Sequence, residues 1–385
     1  MKFFTLILHA IRDLVLRHLP IQRRLNPPGF AFIVHPRDYA DVSRKYPIFR
    51  YIPQWAGEFF LRHFWPIVLS EVKGVLSKKS GKPIQGWVIT IPLTAKQMME
   101  DRDLTVRFIH KSLILSAKLG AKLIGLGALT ASFTGRGTAL AKVLDTYDLG
   151  LTTGAGYTSY IVAETTLKLA DEVAIKKDTA VVAIVGAAGS IGSTVTRFLI
   201  DRGFKQFILI DTYKRENALK KKSEEFTASH EELKFSVSHQ IQDVRTADII
   251  ITATNAPEAL INENDPKPGS IIIDDAQPTD IHPDVILRRK DVIVSAAGTV
   301  HAEGIQANFN FGLKTKYDIF SCLAEVIMLS SHENCTIRAV GEIDMEYTNY
   351  IVGLAKEMHF GVATFQNSYK IITKRDIERV RSYHA

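Results

Sequence analysis

The apolar positions of this chain change their spacing at about Thr179, and the change divides it. Beyond that point short apolar runs recur: AVVAIVG, QFILID, LKFSV, ADIIITAT, SIIIDDA and DVIVSAA. Between the first runs, SIGSTVTRFLIDRG has helical spacing and a glycine stop, and KRENALKKKSEEFTASH reads as a polar helix. Such alternation predicts a parallel sheet with crossover helices. Before Thr179 the pattern is mixed. AFIVHP predicts a strand, and DYADVSRKY a helix with Asp38 or Asp41 near its cap. Two β-like runs between Ile67 and Thr94, joined by SKKSGKP, predict a hairpin. AKQMMEDRDLTVRFIHKSLILSAKLG is helical, AKLIGLGALTASFTG is a strand entering a glycine-rich turn, and LTTGAGYTSY leads into the helix IVAETTLKLADEVAI. From about Gly304 the remainder reads as mainly helical.

The first residues carry a helical stripe of Phe3, Phe4, Ile7, Ile11, Leu14 and Val15. His9, Arg12, Asp13, Arg17 and His18 interrupt it, so the run is too short and too charged for a membrane span, and no A-x-A cleavage site follows. This is an amphipathic segment, 1–27. It either packs on the domain that follows or makes peripheral membrane contact through residues 1–20.

Composition narrows the classes. Two cysteines build neither a disulfide framework nor a four-thiolate zinc site, so no metal site is expected and a reduced, cytoplasmic setting is the simpler one. A hydrophobic fraction of 46% suits a packed core. The net charge of +7 admits acidic partners without selecting one. No zinc-finger spacing or RNA-binding aromatic signature points to nucleic acid.

VVAIVGAAGSIGS places Gly186, Gly189 and Gly192 between a buried strand and a helix. That context makes the motif a dinucleotide fingerprint, with Ala187, Ser190 and Ile191 completing the loop. The glycines permit a tight turn and close approach to a pyrophosphate, and the helix start supplies positive potential. Asp211 ends the next strand, where a carboxylate suits a ribose 2′-hydroxyl and favours NADH. Lys214 and Arg215 follow at once and suit the 2′-phosphate of NADPH. Thr254 and Asn255 fall at the carboxyl edge of a later strand, where ligands bind in open sheets. Asp274, Asp275 and Gln277 lie at a similar edge, and a cap or turn role is preferred for the aspartates. The expected fold is therefore α/β: a Rossmann-type parallel sheet domain (156–310, with a linker helix), an N-terminal α/β substrate domain (28–155), and a helical C-terminal region (311–385).

YDIFSCLAEVIML reads as a helix start with Cys322 in its opening turns. A thiol there is either a small core residue or a nucleophile whose pKa the helix N–H groups lower. Asp318 or Ser321 is the expected cap. Glu325, three residues on, opposes thiolate formation if ionised and orients the site if hydrogen-bonded. Cys335 lacks this context. The run from Lys214 to Lys222 is a solvated helix face or a guide for an acidic partner.

These blocks, in this order, resemble the long-chain acyl-[acyl carrier protein] reductases of cyanobacteria, which form fatty aldehydes. The resemblance runs from about Gly29 to about Gln366. It is carried by GALTASF, FTGRG, TTGAGYTSY, VAIVGAAGSIGS, AGTVH and FSCLAEVIML. That family is distantly similar to shikimate dehydrogenases and glutamyl-tRNA reductases. The resemblance implies a Cys-x-Ala-Glu helix start, here Cys322, Ala324 and Glu325, that accepts the acyl group. It also implies NADPH or NADH as reductant and acyl carrier protein or acyl-CoA as partner. The segment before Asn26 is an addition, and Asp211-Thr212-Tyr213 replaces the family's Thr-Ala-Arg run, which leaves the nucleotide choice open. His301 is a candidate general acid or a structural histidine. Thr153, Gly154, Tyr157 and Ser159 either line the substrate cleft or serve turns and caps. The expected function is reduction of a long-chain acyl thioester to an aldehyde through acyl-Cys322. The alternatives are a shikimate- or amino-acid-dehydrogenase-like oxidoreductase without a covalent intermediate, and a non-catalytic, nucleotide-sensing membrane scaffold.

Overall fold

The computed structural model describes residues 2–229, 232–309 and 311–384, apart from the side chains of residues 2–6 and 229. The side chains of Phe3 and Phe4 therefore lie outside the described residues. The chain opens with helix α1 (Lys2–His18) and strand β1 (Gly29–Val34), followed by α2 (Tyr39–Lys45) and α3 (Gln54–Arg62). Asp38 caps α2, its side chain accepting from Asp41 N. Strands β2 (Ile67–Lys73) and β3 (Gly86–Thr90) form the expected antiparallel hairpin. Helices α4 (Ala95–Glu100) and α5 (Arg102–Leu119) break at Asp101, whose carboxylate caps α5 at Leu104 N (3.0 Å). One helical pattern in sequence is thus two helices. Then come β4 (Ala121–Leu126), the short helices α6 (Thr130–Phe133) and α7 (Ala141–Tyr147), and β5 (Gly150–Thr152).

Helix α8 (Ala155–Glu172) leads to the second sheet. Its strands are β6 (Val181–Val185), β7 (Gln206–Ile210), β8 (Lys234–Ser238), β9 (Ile249–Thr252), β10 (Ile271–Asp274) and β11 (Ile293–Ala296). Helices α9 (Ser190–Asp201), α10 (Glu216–Ser229) and α11 (Pro283–Arg288) lie between them. Every pairing is parallel, in the order β11-β10-β9-β6-β7-β8. Ile249 to Ile251 and Ile271 to Ile273 are fully buried, as strands covered on both faces must be. The strand order reverses between β6 and β9, which is where such sheets bind ligands.

The last part, read as mainly helical, also carries short strands. Strands β12 (Thr299–His301), β14 (Asp318–Phe320) and β16 (Gly361–Val362) form a small antiparallel sheet. Strands β13 (Gln306–Ala307) and β15 (Arg338–Ala339) join opposite edges of the first sheet, giving β13-β2-β3-β1-β4-β5-β15 among the described residues. Helices α12 (Ser321–Ser331), α13 (Met345–Glu357) and α14 (Lys374–Arg381) complete the chain. Almost wholly buried, α12 packs against the first sheet, with Leu323, Val326 and Ile327 in one cluster with Phe30, Phe32 and Leu123. That packing brings its first turn to the seam between the two large sheets.

Candidate active site

Cys322 is the second residue of α12, which begins at Ser321 and not at Tyr317. The expected caps are otherwise engaged. Asp318 belongs to β14 and accepts from Gln366 Nε2 (2.9 Å), while Ser321 Oγ pairs with Thr158 Oγ1 (2.7 Å). Phe320 holds the cap position without a side-chain bond. Ser321 N donates to Gly298 O (2.8 Å), and the next two N–H groups, of Cys322 and Leu323, turn toward the thiol.

A second helix start meets the first here. Gly154 caps α8 at φ +73°, and a side chain on it would collide with Cys322 Cβ. Glu325 ties the two helices together. Its Oε2 accepts from Tyr157 N (2.7 Å), and its Oε1 accepts from Tyr347 Oη (2.7 Å) and from Thr152 Oγ1. Burial raises the Glu325 carboxyl while these three donors oppose the rise. Glu325 thus positions α8 against α12.

The helix start does not lower the thiol pKa as expected. Burial pushes Cys322 up to about 12, and the charges of Asp275 and Glu325 add to it, against the N–H groups of Leu323 and Cys322. A helix terminus contributes roughly 1 kcal/mol, less than desolvation takes away in a closed site. Asp275 is the residue for which a turn role was preferred and which the geometry brings to the site. Its neighbour Asp274 is structural, accepting from Thr252 Oγ1 (2.8 Å) and Thr279 Oγ1. The Asp275 carboxylate instead accepts no hydrogen bond among the described residues and lies against Gly298, beside Ser321. Burial, Asp274 and Asp280 raise it well above the usual carboxylate range. The doublet Asp-Asp at a strand end was the available signal.

Behind Cys322 runs an apolar cavity of about 270 Å³. Phe32, Val34, Val42, Phe49, Leu61 and Leu69 form its walls, the exposed Ile7 and Phe60 also line it, and so do Gln277 and Cys322. His35 in the wall is neutral. Its Nε2 accepts from Leu129 N (3.2 Å), which leaves Nδ1–H to donate to Pro36 O (2.9 Å), and burial lowers its pKa to about 4. Arg37 and Arg44 both pair with Asp41 (2.8 and 2.7 Å) on the same wall.

The remaining candidates divide. Gly186, Ala187, Gly189, Ser190, Ile191 and Gly192 form the turn from β6 into α9. A Cβ on Gly192 would stand 2.5 Å from Gly186 O, so only glycine lets the helix close on the loop. The N–H groups of Gly186, Ala187 and Gly189 are donated to Ile210 O and Gly186 O, and that of Ala188 to Asp211 Oδ2 (3.0 Å). Ser190, Ile191 and Gly192, the first turn of α9, keep the open N–H groups that fit a pyrophosphate. Asp211 also accepts from Thr212 N (2.8 Å), and Arg215 donates to Ala188 O (3.4 Å), while Lys214 is exposed beside it. Thr254 donates to Asp280 Oδ1 (2.6 Å), and Asn255 is exposed on the same loop. Tyr157 and Ser159 are buried in α8, the latter bonded to Ala155 O (2.7 Å), and Thr153 N pairs with Ala339 O (3.3 Å). His301 pairs with Asp318 (3.2 Å) in the small sheet, outside the cavity lining. Cys335 is likewise outside it, its thiol pushed up to about 11 by burial.

Comparison with known proteins adds to this geometry. Residues 168–300 match the family described as shikimate/quinate 5-dehydrogenase. A curated relative, the aminotransferase PigE of Serratia sp. (strain ATCC 39006), is 27% identical over 261 residues, 66% of this chain. The match spans only 29% of that relative's length. Among solved structures, the NAD-dependent malic enzyme of Thermotoga maritima aligns over 93% of this chain and 84% of its own, at 13% identity and a TM-score of 0.41. The nucleotide-binding domain of glutamyl-tRNA reductase from Thermoplasma volcanium covers 36% of this chain and 84% of its own, at 20% identity and a TM-score of 0.25. At TM-scores this low neither bears on the site. The chain carries a shikimate dehydrogenase-like NAD(P)-binding domain over residues 168–300. The match lies nearer the dehydrogenase alternative than the acyl-thioester reading, which it leaves without support of its own.

Proposed function

We propose that the protein reduces an acyl thioester to an aldehyde through an acyl group held on Cys322. One observation carries this reading: Cys322 lines an apolar cavity, and the carboxylate that acts on its thiol, Asp275, stands at the carboxyl end of β10 in the nucleotide sheet. A hydroxy-acid or amino-acid substrate has no use for such a cavity, whereas a long acyl chain fills one. Cys322 Sγ attacks the thioester carbonyl, forming the new S–C bond while the carrier's C–S bond breaks. Asp275, its carboxyl raised well above the usual carboxylate range by burial and by Asp274 and Asp280, takes the thiol proton and returns it to the departing carrier thiolate. The N–H groups at the start of α12 face the developing oxyanion. NAD(P)H held at the start of α9 would supply the hydride for the acyl carbon; the Cys322 S–C bond then breaks to free the aldehyde, and the Cys322 thiolate takes up a proton. Arg37, Arg44 and Lys45 on the cavity wall suit an anionic carrier, either acyl carrier protein or the phosphates of coenzyme A.

Incubation with acyl-CoA, without reductant, should add one acyl mass at Cys322, and Cys322→Ala should abolish both the adduct and aldehyde formation. Undiminished aldehyde formation by Cys322→Ala overturns the proposal. The second reading, a dehydrogenase without a covalent intermediate, is favoured by the family match over 168–300 and by a thiol pushed up to about 12. Under it Cys322→Ala keeps full turnover with a hydroxy or amino acid.

A further inference from the structure

Helix α1 is attached so that much of its apolar stripe stays uncovered. Its inward contacts include two polar anchors, Trp65 Nε1 donating to Ala10 O (2.8 Å) and Asp13, 1% exposed, accepting from Val68 N (2.7 Å), with Leu16 packed on the core beside them. Ile7, Leu8, Ile11 and Val15 are left facing outward on an arc of about 100°. Ile11 alone is 49% exposed. Helix α3 does the same. Trp55 (75% exposed), Phe59 and Phe60 point outward, with Tyr51 and Ile48 just before them. The two patches meet at the cavity, whose lining includes both Ile7 and Phe60. An exposed apolar surface that rings a cavity mouth marks an interaction site.

Charge identifies the occupant. The first 65 residues hold ten lysines and arginines against four acidic residues, so most of the net charge of +7 lies here. Outward Trp, Tyr and Phe among cationic residues are the composition of a surface lying in a lipid headgroup layer. No helix among the described residues is long and apolar enough to cross a membrane, so the contact is with one leaflet. We propose that α1 and α3 together dock the protein on an anionic bilayer, with the cavity mouth against the acyl region. An apolar product then leaves into lipid without crossing water. Docking rests on the exposed face alone; the exit into lipid also rests on the acyl-thioester reading.

The test is flotation of the full chain with vesicles of phosphatidylcholine, with and without phosphatidylglycerol, in the absence of substrate. The parent should float with the phosphatidylglycerol vesicles. The variant Ile11→Ser, Trp55→Ser, Phe59→Ser should lose about tenfold or more in vesicle affinity. None of these three lines the cavity, so the variant should also keep the parent's melting temperature and its turnover of soluble short-chain substrate. Three outcomes overturn docking: the parent stays at the bottom, the variant floats equally well, or the parent is a stable dimer in which Trp55 is shielded. Because no substrate is present, failure here leaves the reductase reading standing, and loss of the acyl adduct leaves docking standing.

Discussion

Two helix starts lie at the functional edge of this molecule, and they treat charge in opposite ways. Helix α9 begins at Ser190 over a loop of small residues, with its first N–H groups open. Helix α12 begins at Ser321, whose N–H is taken by Gly298 O, and a thiol, Asp275 and Glu325 are packed around its next N–H groups. The first can receive an anion. The second opposes a thiolate in the free protein, because burial and two carboxyls act against the terminus. Position at a helix N-terminus is therefore only a potential for anion binding, and its surroundings decide the outcome.

The comparison can be broken first at α9. Gly192→Val drives a side chain into Gly186 O and should weaken NADH and NADPH binding about a thousandfold, ~4 kcal/mol, by fluorescence titration. Unchanged affinity would move the phosphate site away from the α9 start. At α12, Asp275→Asn removes the proton acceptor. Release of free thiol from acyl-CoA should slow about a hundredfold while acyl-CoA affinity holds. An unaltered rate would leave Asp275 as a structural group.

The thiol itself sharpens the contrast. Alkylation of Cys322 by iodoacetamide in the free protein should be slow at pH 7 and rise roughly tenfold per pH unit with no plateau up to about pH 10. A plateau below about pH 8 would mean that the helix terminus wins after all. The smallest effect concerns His35, governed by the same rule. Its pKa is about 4 in the folded chain and near 6.5 unfolded, so the unfolded state binds the extra proton as pH falls and stability drops. Between pH 7 and about pH 5.5 the parent should lose about 1 kcal/mol more than His35→Gln, read from urea midpoints.

The parallel sheet was legible because each strand is a short aliphatic run closed by a turn. The glycine loop was legible because its chemistry is local. The helix start at Cys322 was readable to within a few residues, but its environment was not, since Glu325, Thr152, Tyr157 and Tyr347 meet only through tertiary packing. Asp275 was set aside as a turn residue because sequence cannot tell it from Asp274, which does hold a turn. The cavity draws on Ile7, Phe32, Leu61, Phe311 and Cys322, segments with no common period. The amphipathic pattern of α1 was plain, yet two hydrogen bonds, at Ala10 and Asp13, decide which face looks out.

Strands β13 and β15 finish opposite edges of the first sheet, and both lie after residue 305. During synthesis the ribosome delivers β1 to β5 long before either partner emerges. The nucleotide sheet is complete by Ala296, but the first sheet waits with both flanks bare. Bare flanks recruit foreign strands. The last stretch of the chain therefore acts as a pair of sheet guards as well as the carrier of the thiol. A chain stopped near residue 300 should precipitate as it leaves the ribosome, even though its nucleotide-binding half is fully made.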